Sequence, residues 1–354
     1  MGIGGVSACR DERAGMGKRA TLADVAERAG MSVTAVSLVL NNREGSRLSA
    51  DAQERIRTAA RELDYRPNPA ARSLRVGKTR TVGFISDDVT VTRYASAMIR
   101  GALDGAEARD HTVLMAEAGN DRKRINRAVR AMLDRRPDGL IFALMGSKEI
   151  DIPAEIGDLP VVVLNGASTG GHASVLRDEI TAGRDVANHL IERGHERIAL
   201  LGDVDALRRD RRLSVSIGDR FLGIESAMAE AGLAFTARHF EEDWEPEKGY
   251  RGMRALLDQG LDFTAIIAMN DRLAFGAYQA IWERGVRIPA DISIASFDDD
   301  VIATYVHPGL TTVRIPYEEM GRAAMDMLLT GKPAGHLQVP MPLRERESVA
   351  DRQR

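Results

Sequence analysis

The chain has 354 residues, 44% of them hydrophobic and 29% charged, enough apolar material for two or three domains. No apolar run reaches the roughly 18 residues a membrane span requires, and Arg10, Asp11, Glu12 and Arg13 interrupt any secretory signal core. The single cysteine, Cys9, excludes an intrachain disulfide and a cysteine-built metal site, and the net charge of -3 hides a split of +6 between Lys18 and Arg80 against -9 from residue 81 onward.

Residues 1–17 carry two charges of each sign and no periodic pattern. They are expected to be a disordered extension or an artefact of the start codon. Thr21 is placed to cap a helix beginning at Leu22, with Asp24 closing a variant capping box. Leu22, Val25, Ala26 and Ala29 fall on one face, and Gly30 suits the left-handed residue that ends a helix. Ser32 caps the next helix. There Val36, Val39 and Leu40 point inward, which leaves Val33, Thr34, Ser37, Leu38 and Asn41 outward with no charge among them. Two short helices across such a turn form a helix-turn-helix, whose second helix enters the major groove of DNA. An ordinary helical bundle gives the same pattern. A third helix, capped by Ser49, turns Ile56, Ala59, Ala60 and Leu63 to a shared core.

The stretch "YRPNPAARSLRVGKTR" follows, from Tyr65 to Arg80. Asn68 caps and Pro69 opens a helix of about two turns through Ala71 to Leu74, too short to persist alone. Leu74 would project amid Arg72, Arg75, Lys78 and Arg80. An apolar side chain among cations suits a wedge between base steps in the minor groove; a plain interdomain linker is the alternative.

From Thr81 strands and helices alternate. "TVGFIS", "HTVLMAEA", "DGLIFAL", "PVVVLN", "RIALLG", "FTAIIAMN" and "ISIASFDD" read as strands, with helices near 95–109, 125–135 and 179–193 and helices starting at Arg220 and Asp271. This alternation implies parallel sheets covered by helices, in two units. "GASTGG" at 166–171 lacks nucleotide-loop spacing and reads as a flexible loop. Ligands of open α/β sheets sit beyond the carboxyl ends of strands. Asn165, Asn270, Asp271 and Asp298 end strands there, Arg220 opens a helix, and Trp244 offers a flat apolar face. An arginine with carboxylates and amides can bind the hydroxyls of a small polar ligand. Helix caps and core packing are the competing roles for the same residues. The basic loop Arg208–Arg212 either favours an anionic ligand or is a solvated face.

Two stretches, "TLADVAERAGMSVTAVSLVLN" and "LDYRPNPAARSL", resemble the headpiece and hinge of the lactose-repressor/galactose-repressor (LacI/GalR) family. "HLIERGHERIALL", "DRFLGIESAM", "AIIAMNDRLAFGAYQAI", "DISIASFDDDVIATYVHPGLTTVR" and "PLRERESVA" resemble its effector domain, itself similar to periplasmic sugar-binding proteins. By that resemblance Leu74 stands at the intercalating hinge position and Val33 and Thr34 at the specificity pair. Arg220, Asn270 and Asp298 stand at effector contacts, with Asn165 and Trp244 as weaker correspondences. Two departures stand out. Leu38 replaces a common arginine, so a bidentate guanine contact is not available there. The loop "DDVTVTRYASAMI" lacks the usual asparagine-proline-aromatic cluster, and Tyr94 is its candidate contributor.

The expected architecture is α/β: a three-helix helix-turn-helix head (18–66), a hinge helix and linker (67–80), and a two-subdomain periplasmic-binding-protein-like parallel-sheet effector and dimerisation domain (81–354). The DNA-binding set is Thr21, Ser32, Val33, Thr34, Ser37, Leu38, Asn41, Asn68, Ala71 and Leu74. The effector set is Tyr94, Asn165, Arg220, Trp244, Asn270 and Asp298. The resemblance implies a cytoplasmic transcriptional repressor, homodimeric on a pseudo-palindromic operator, controlled by a sugar or related metabolite, with no cofactor, metal or membrane partner. A cytoplasmic solute-binding protein without a DNA role is the alternative. An enzyme ranks last, because no nucleophile–base pair, metal cluster or phosphate loop is evident. No heptad repeat follows Arg346, so no tetramerising coiled coil is expected.

Overall fold

The computed structural model describes residues 20–40, 48–66, 77–87, 94–260, 262–331 and 333–352. Two compact units emerge, Met1–Thr79 and Arg80–Arg354.

In the first unit, α1 (Leu22–Ala29), α2 (Val33–Leu40) and α3 (Ala50–Glu62) share a core of Val25, Ala26, Val36, Val39, Ile56 and Ala59. Local chemistry fixes each end. The Thr21 amide donates to Asp24 Oδ2 at 2.7 Å while Asp24 N–H donates back to Thr21 Oγ1 at 3.3 Å, closing the capping box. Gly30 sits at φ 66°, its N–H reaching the carbonyls of Ala26 and Glu27. Ser32 Oγ accepts from Ala35 N–H at 3.2 Å, and Ser49 Oγ from Ala52 N–H at 3.3 Å. Arg55 Nη2 donates to Ala29 O at 2.7 Å, tying α3 to the end of α1.

The second unit runs β1 (Thr81–Ser86), α4 (Tyr94–Glu107), β2 (Thr112–Glu117), α5 (Arg122–Leu133), β3 (Gly139–Ala143), β4 (Glu149–Ile150), β5 (Val161–Leu164), β6 (Ala167–Ser168) and β7 (Ala173–Arg177). It continues through α6 (Glu179–Glu192), β8 (Ile198–Asp203), α7 (Asp205–Arg209), α8 (Ile217–Glu230), β9 (Ala237–Phe240), α9 (Pro246–Asp258), β10 (Ala265–Ala268) and α10 (Asp271–Glu283). It closes with β11 (Ser293–Asp298), α11 (Ile302–Tyr305), β12 (Thr311–Arg314), α12 (Tyr317–Leu329), β13 (His336–Val339) and β14 (Leu343–Arg344).

Two six-stranded sheets result, in the orders β13-β7-β5-β3-β1-β2 and β14-β12-β11-β10-β8-β9. The first is wholly parallel; in the second only the β12–β14 pair is antiparallel. The central strands β3, β5 and β10 are buried at every residue, as helices on both faces require. Each sheet and its helices make one lobe. The chain crosses between lobes three times: from β7 into α6, from β12 into α12, and from β13 into β14.

Helix pairs α4/α12, α6/α8 and α9/α10 approach through paired glycines. In α6/α8 a Cβ at Gly183 would lie 2.3 Å from Arg220 O, and one at Gly223 would lie 2.1 Å from Ile180 O. Backbone contact this close leaves no room for a methyl group.

The structure corrects two sequence expectations and adds elements to a third. The 166–171 stretch is ordered, not a flexible loop: β6 pairs with β4, Ser168 Oγ contacts His172 Nδ1 at 2.9 Å, and Gly166 is packed against Lys148 O. The helix expected from Arg220 begins at Ile217, because Ser214 Oγ accepts from the Ser216 and Ile217 amides and starts the turn earlier. Strands β4, β6, β7, β9, β12, β13 and β14 and helices α7, α9, α11 and α12 are elements that the sequence pattern does not reveal. No helix among the described residues is long and apolar enough to cross a membrane.

Candidate functional site

The head presents one face of α2. Val33 is 46% exposed and Thr34 is exposed, while Ser37 and Leu38 are partly buried. Val36 and Val39 lie beneath them in the core, so this face is held firmly by the side that packs. Thr21 and Ser32 spend their side-chain oxygens on the caps of α1 and α2. Asn41, Asn68, Ala71 and Leu74 lie outside the described residues.

In the second unit a polar cluster forms where strand ends of the two lobes meet. α6 begins at Glu179, which is fully buried, and α8 carries Arg220 at 1% exposure. The glycine-mediated approach of these helices presses the two side chains together. Arg220 Nε donates to Glu179 Oε2 at 2.7 Å, and Nη2 to Oε1 at 2.9 Å. Arg220 Nη1 donates to Met269 O at 2.6 Å, just before the Asn270 cap of α10. Its guanidinium lies 4.2 Å from the Phe297 ring centroid and 5.8 Å from that of Trp244. Arg177, at the first crossover, flanks the same glutamate (Nε to Oε1, 3.2 Å) and donates from Nη2 to Ser216 Oγ at 2.7 Å.

Asn270 accepts from Leu273 N–H at 2.8 Å and donates to Trp244 O at 3.3 Å; Trp244 Nε1 donates to Gly202 O at 2.8 Å. Thus Arg220, Trp244, Asn270 and Asp298 share one neighbourhood. Tyr94 reaches it from the first lobe. Its hydroxyl donates to Asp300, and its ring lies 5.6 Å from that of Tyr317. Asn165 belongs to a different cluster, at the ends of β3 and β5. It is fully buried at φ 58°, and its Nδ2 donates to Leu144 O at 2.8 Å and Met145 O at 3.2 Å. Its Oδ1 finds no hydrogen-bond partner among the described residues, nor does Ser147 Oγ nearby.

Electrostatics sort the carboxylates. Burial pushes Asp298 up to about 6, against the pull of Arg220 and Arg177. Burial, aided by Asp298, carries Asp271 well above the usual range, although Ser296, Thr312 and the Asp300 amide donate to it. Burial works the same way on Glu179, yet Arg220 and Arg177 overcome it and hold the group low. Burial also raises Tyr317 to about 12. Asp298 ends β11 at φ 111°, a conformation rare outside glycine and often kept where a side chain must be aimed. Among the described residues its carboxylate forms no hydrogen bond, so its acceptor sites stay open to a ligand.

Three of the four arginines in the basic loop are paired, while the exposed Arg212 forms no ion pair among the described residues and only pulls on Asp151 from a distance. Arg208 pairs with Asp203 and Glu225, Arg209 with Asp205, and Arg211 with Glu149. Sequence reasoning missed Glu179, Arg177 and Tyr317. Glu179 read only as the start of a long helix, since nothing local ties it to an arginine 41 residues away.

Residues 21–68 match the family described as bacterial regulatory proteins, lacI family, and residues 187–349 match a periplasmic binding protein-like domain. The HTH-type transcriptional repressor PurR of Erwinia tasmaniensis is 34% identical over 343 residues, spanning 94% of this chain and 97% of that protein. The ribose operon repressor of Escherichia coli K12 is 31% identical, spanning 88% and 92%. Among solved structures, the lac repressor dimer bound to operator and the anti-inducer ONPF superposes with a TM-score of 0.75 at 27% identity, over 94% of this chain and 100% of that one. The transcriptional regulator CelR in complex with cellobiose gives 0.63 at 26%, over 93% and 100%.

Proposed function

The chain belongs to the lacI family of bacterial regulatory proteins, and from that membership we propose how it works as a transcriptional repressor governed by a sugar or related small metabolite. The observation that carries the reading is the outward, uncharged face of α2, held on a basic capped head in a chain whose larger unit gathers desolvated polar groups between two lobes. The first part is built to read base edges; the second is built to hold a small polar molecule.

Val33 and the Thr34 methyl would meet thymine methyls, and the Thr34 and Ser37 hydroxyls would bond bases or phosphates. We assign Ser32, Leu38 and Asn41 to base or phosphate contact beside them, and Thr21 to the DNA backbone. Asn68, Ala71 and Leu74 would act in the minor groove, Leu74 as the wedge. We assign residues 18–66 to the head, 67–80 to the hinge and 81–354 to effector binding and dimerisation; the compact units divide between Thr79 and Arg80. The effector would lie among Arg220, Trp244, Asn270 and Asp298 with Tyr94 across the cleft and Asn165 at its far end. One short helix reads too few base pairs for useful specificity, so a homodimer on a pseudo-palindrome is the working form, acting where the chromosome is, in the cytoplasm. Effector binding would shift the lobes and thereby the population of DNA-competent dimers.

A gel-shift assay on the DNA upstream of its own gene, with and without candidate sugars, tests this. A specific, salt-sensitive complex that changes with one sugar is expected. Absence of any specific complex under all these conditions would leave only the solute-binding reading standing.

A further inference from the structure

Glu179 has no exposed surface and touches two guanidinium groups. It engages Arg220 through two parallel hydrogen bonds, and Met269 O takes a third. An arginine has five N–H donors, so Arg220 retains two, on Nη1 and Nη2. Arg177 flanks the same glutamate and donates to Ser216, so Glu179 balances one of the two guanidinium charges and Asp298, which lies within the field of both, balances the other. The other acidic groups around the cluster are Asp300 and Asp271 and the phenols of Tyr94 and Tyr317, none of which adds a positive charge. In the other polar cluster, Lys148 is matched by Asp87 at 2.9 Å. An anion entering this cleft would therefore meet buried carboxylates and no unneutralised cation.

We propose that Glu179 is a specificity-determining residue that bars anionic ligands from the cleft, so that the effector carries no negative charge. The inference rests on the cleft being the effector site. What remains available suits an uncharged polyol: one hydroxyl donates to Asp298 while its neighbour accepts from the spare Arg220 donors. A phosphate or carboxylate on the same skeleton could reach those spare donors only beside the carboxylates of Glu179 and Asp298, and crowding like charges into that desolvated space is strongly unfavourable.

The test titrates the full-length chain with matched probes by calorimetry and thermal shift: ribose against ribose 5-phosphate, glucose against glucuronate, and inorganic phosphate alone. In the wild type, no anionic probe should bind more tightly than its neutral parent, and phosphate should give no shift. Glu179→Gln, which keeps the shape and removes the charge, should gain about tenfold or more in affinity for the anionic probes or phosphate. That gain should vanish in Glu179→Gln/Arg220→Met. Glu179→Met replaces the Gln variant if the latter does not fold, and the wild-type comparison stands without either. A wild type that prefers an anion, with that binding lost in Asn270→Ala, would overturn the charge exclusion while leaving the cleft reading intact. A folded Glu179 variant with no gain for any anion would also overturn it. Sugar binding that ignores both Asn270→Ala and Asp298→Asn would instead remove the cleft from its role.

Discussion

Asp298 shows how one side chain can serve binding at a cost to stability. Its carboxyl is pushed up to about 6 by burial, whereas the unfolded chain would titrate it near the ordinary value of 3.8. Below about pH 4 both states hold the proton and the group costs nothing. As pH rises toward 6 only the unfolded state releases it, so stability falls; above 6 the full difference persists, on the order of 3 kcal/mol. Asp298→Asn should therefore raise the melting temperature at pH 8, and the gain should shrink as the pH is lowered from 6 to 4. Melts across that range check it, and a gain that ignores pH would show another cause. The same variant should lose the effector response, because the amide carries no charge and turns one of the two acceptor oxygens into a donor. Arg220 illustrates what the sequence could not supply. Its type and place beyond a strand pointed to ligand contact, but its partner Glu179 lies on another helix. Arg220→Ala would strip that buried glutamate of its bidentate partner and leave only Arg177 beside it, so a lost response would report misfolding as much as lost contact. Leu74→Ala is cleaner: operator affinity and DNA bending should fall in gel-shift assays while sugar binding is unchanged.

Among elements, the buried parallel strands were legible because an unbroken apolar run has few other uses; β1 spans the whole of "TVGFIS". The strands that escaped notice sit at edges or carry polar residues. β9 is half exposed and β13 mostly exposed, and β12 opens with Thr311 and Thr312, which are buried through side-chain hydrogen bonds. Helix α9 contains Gly249 and Gly252, and α12 contains Gly321, which weakens the local helical signal. Those glycines are retained for packing. Gly183→Ala or Gly223→Ala should destabilise the larger unit by about 3 kcal/mol, since the obstructing atoms are backbone carbonyls. Each should also loosen Glu179 from Arg220, which the two helices carry. Denaturant titration beside sugar binding measures both effects. In the head, Thr21→Ala removes the box that starts α1 and should cost about 1 kcal/mol, seen as a lower first transition on melting with the second unmoved.

At the scale of the molecule the two units differ in charge, +6 around the head against -9 beyond it. Operator binding should be strongly salt dependent, falling about a thousandfold or more between 50 and 200 mM salt as phosphate counterions cease to be released. Effector affinity should change little over the same range, because the cations of the cleft are already matched within the protein. Fluorescence anisotropy on labelled operator, with sugar titrations in parallel, would show the contrast; parallel salt slopes would contradict it. The triple crossing between lobes has a consequence for how the chain is made. The first lobe takes α12 and β13 from residues 317–339, and the second takes its edge strand β14 from residues 343–344. A ribosome that has translated as far as Ile315 has therefore finished neither lobe. The metabolite-sensing unit matures late and all at once, while the head, local in sequence, can fold as soon as it emerges.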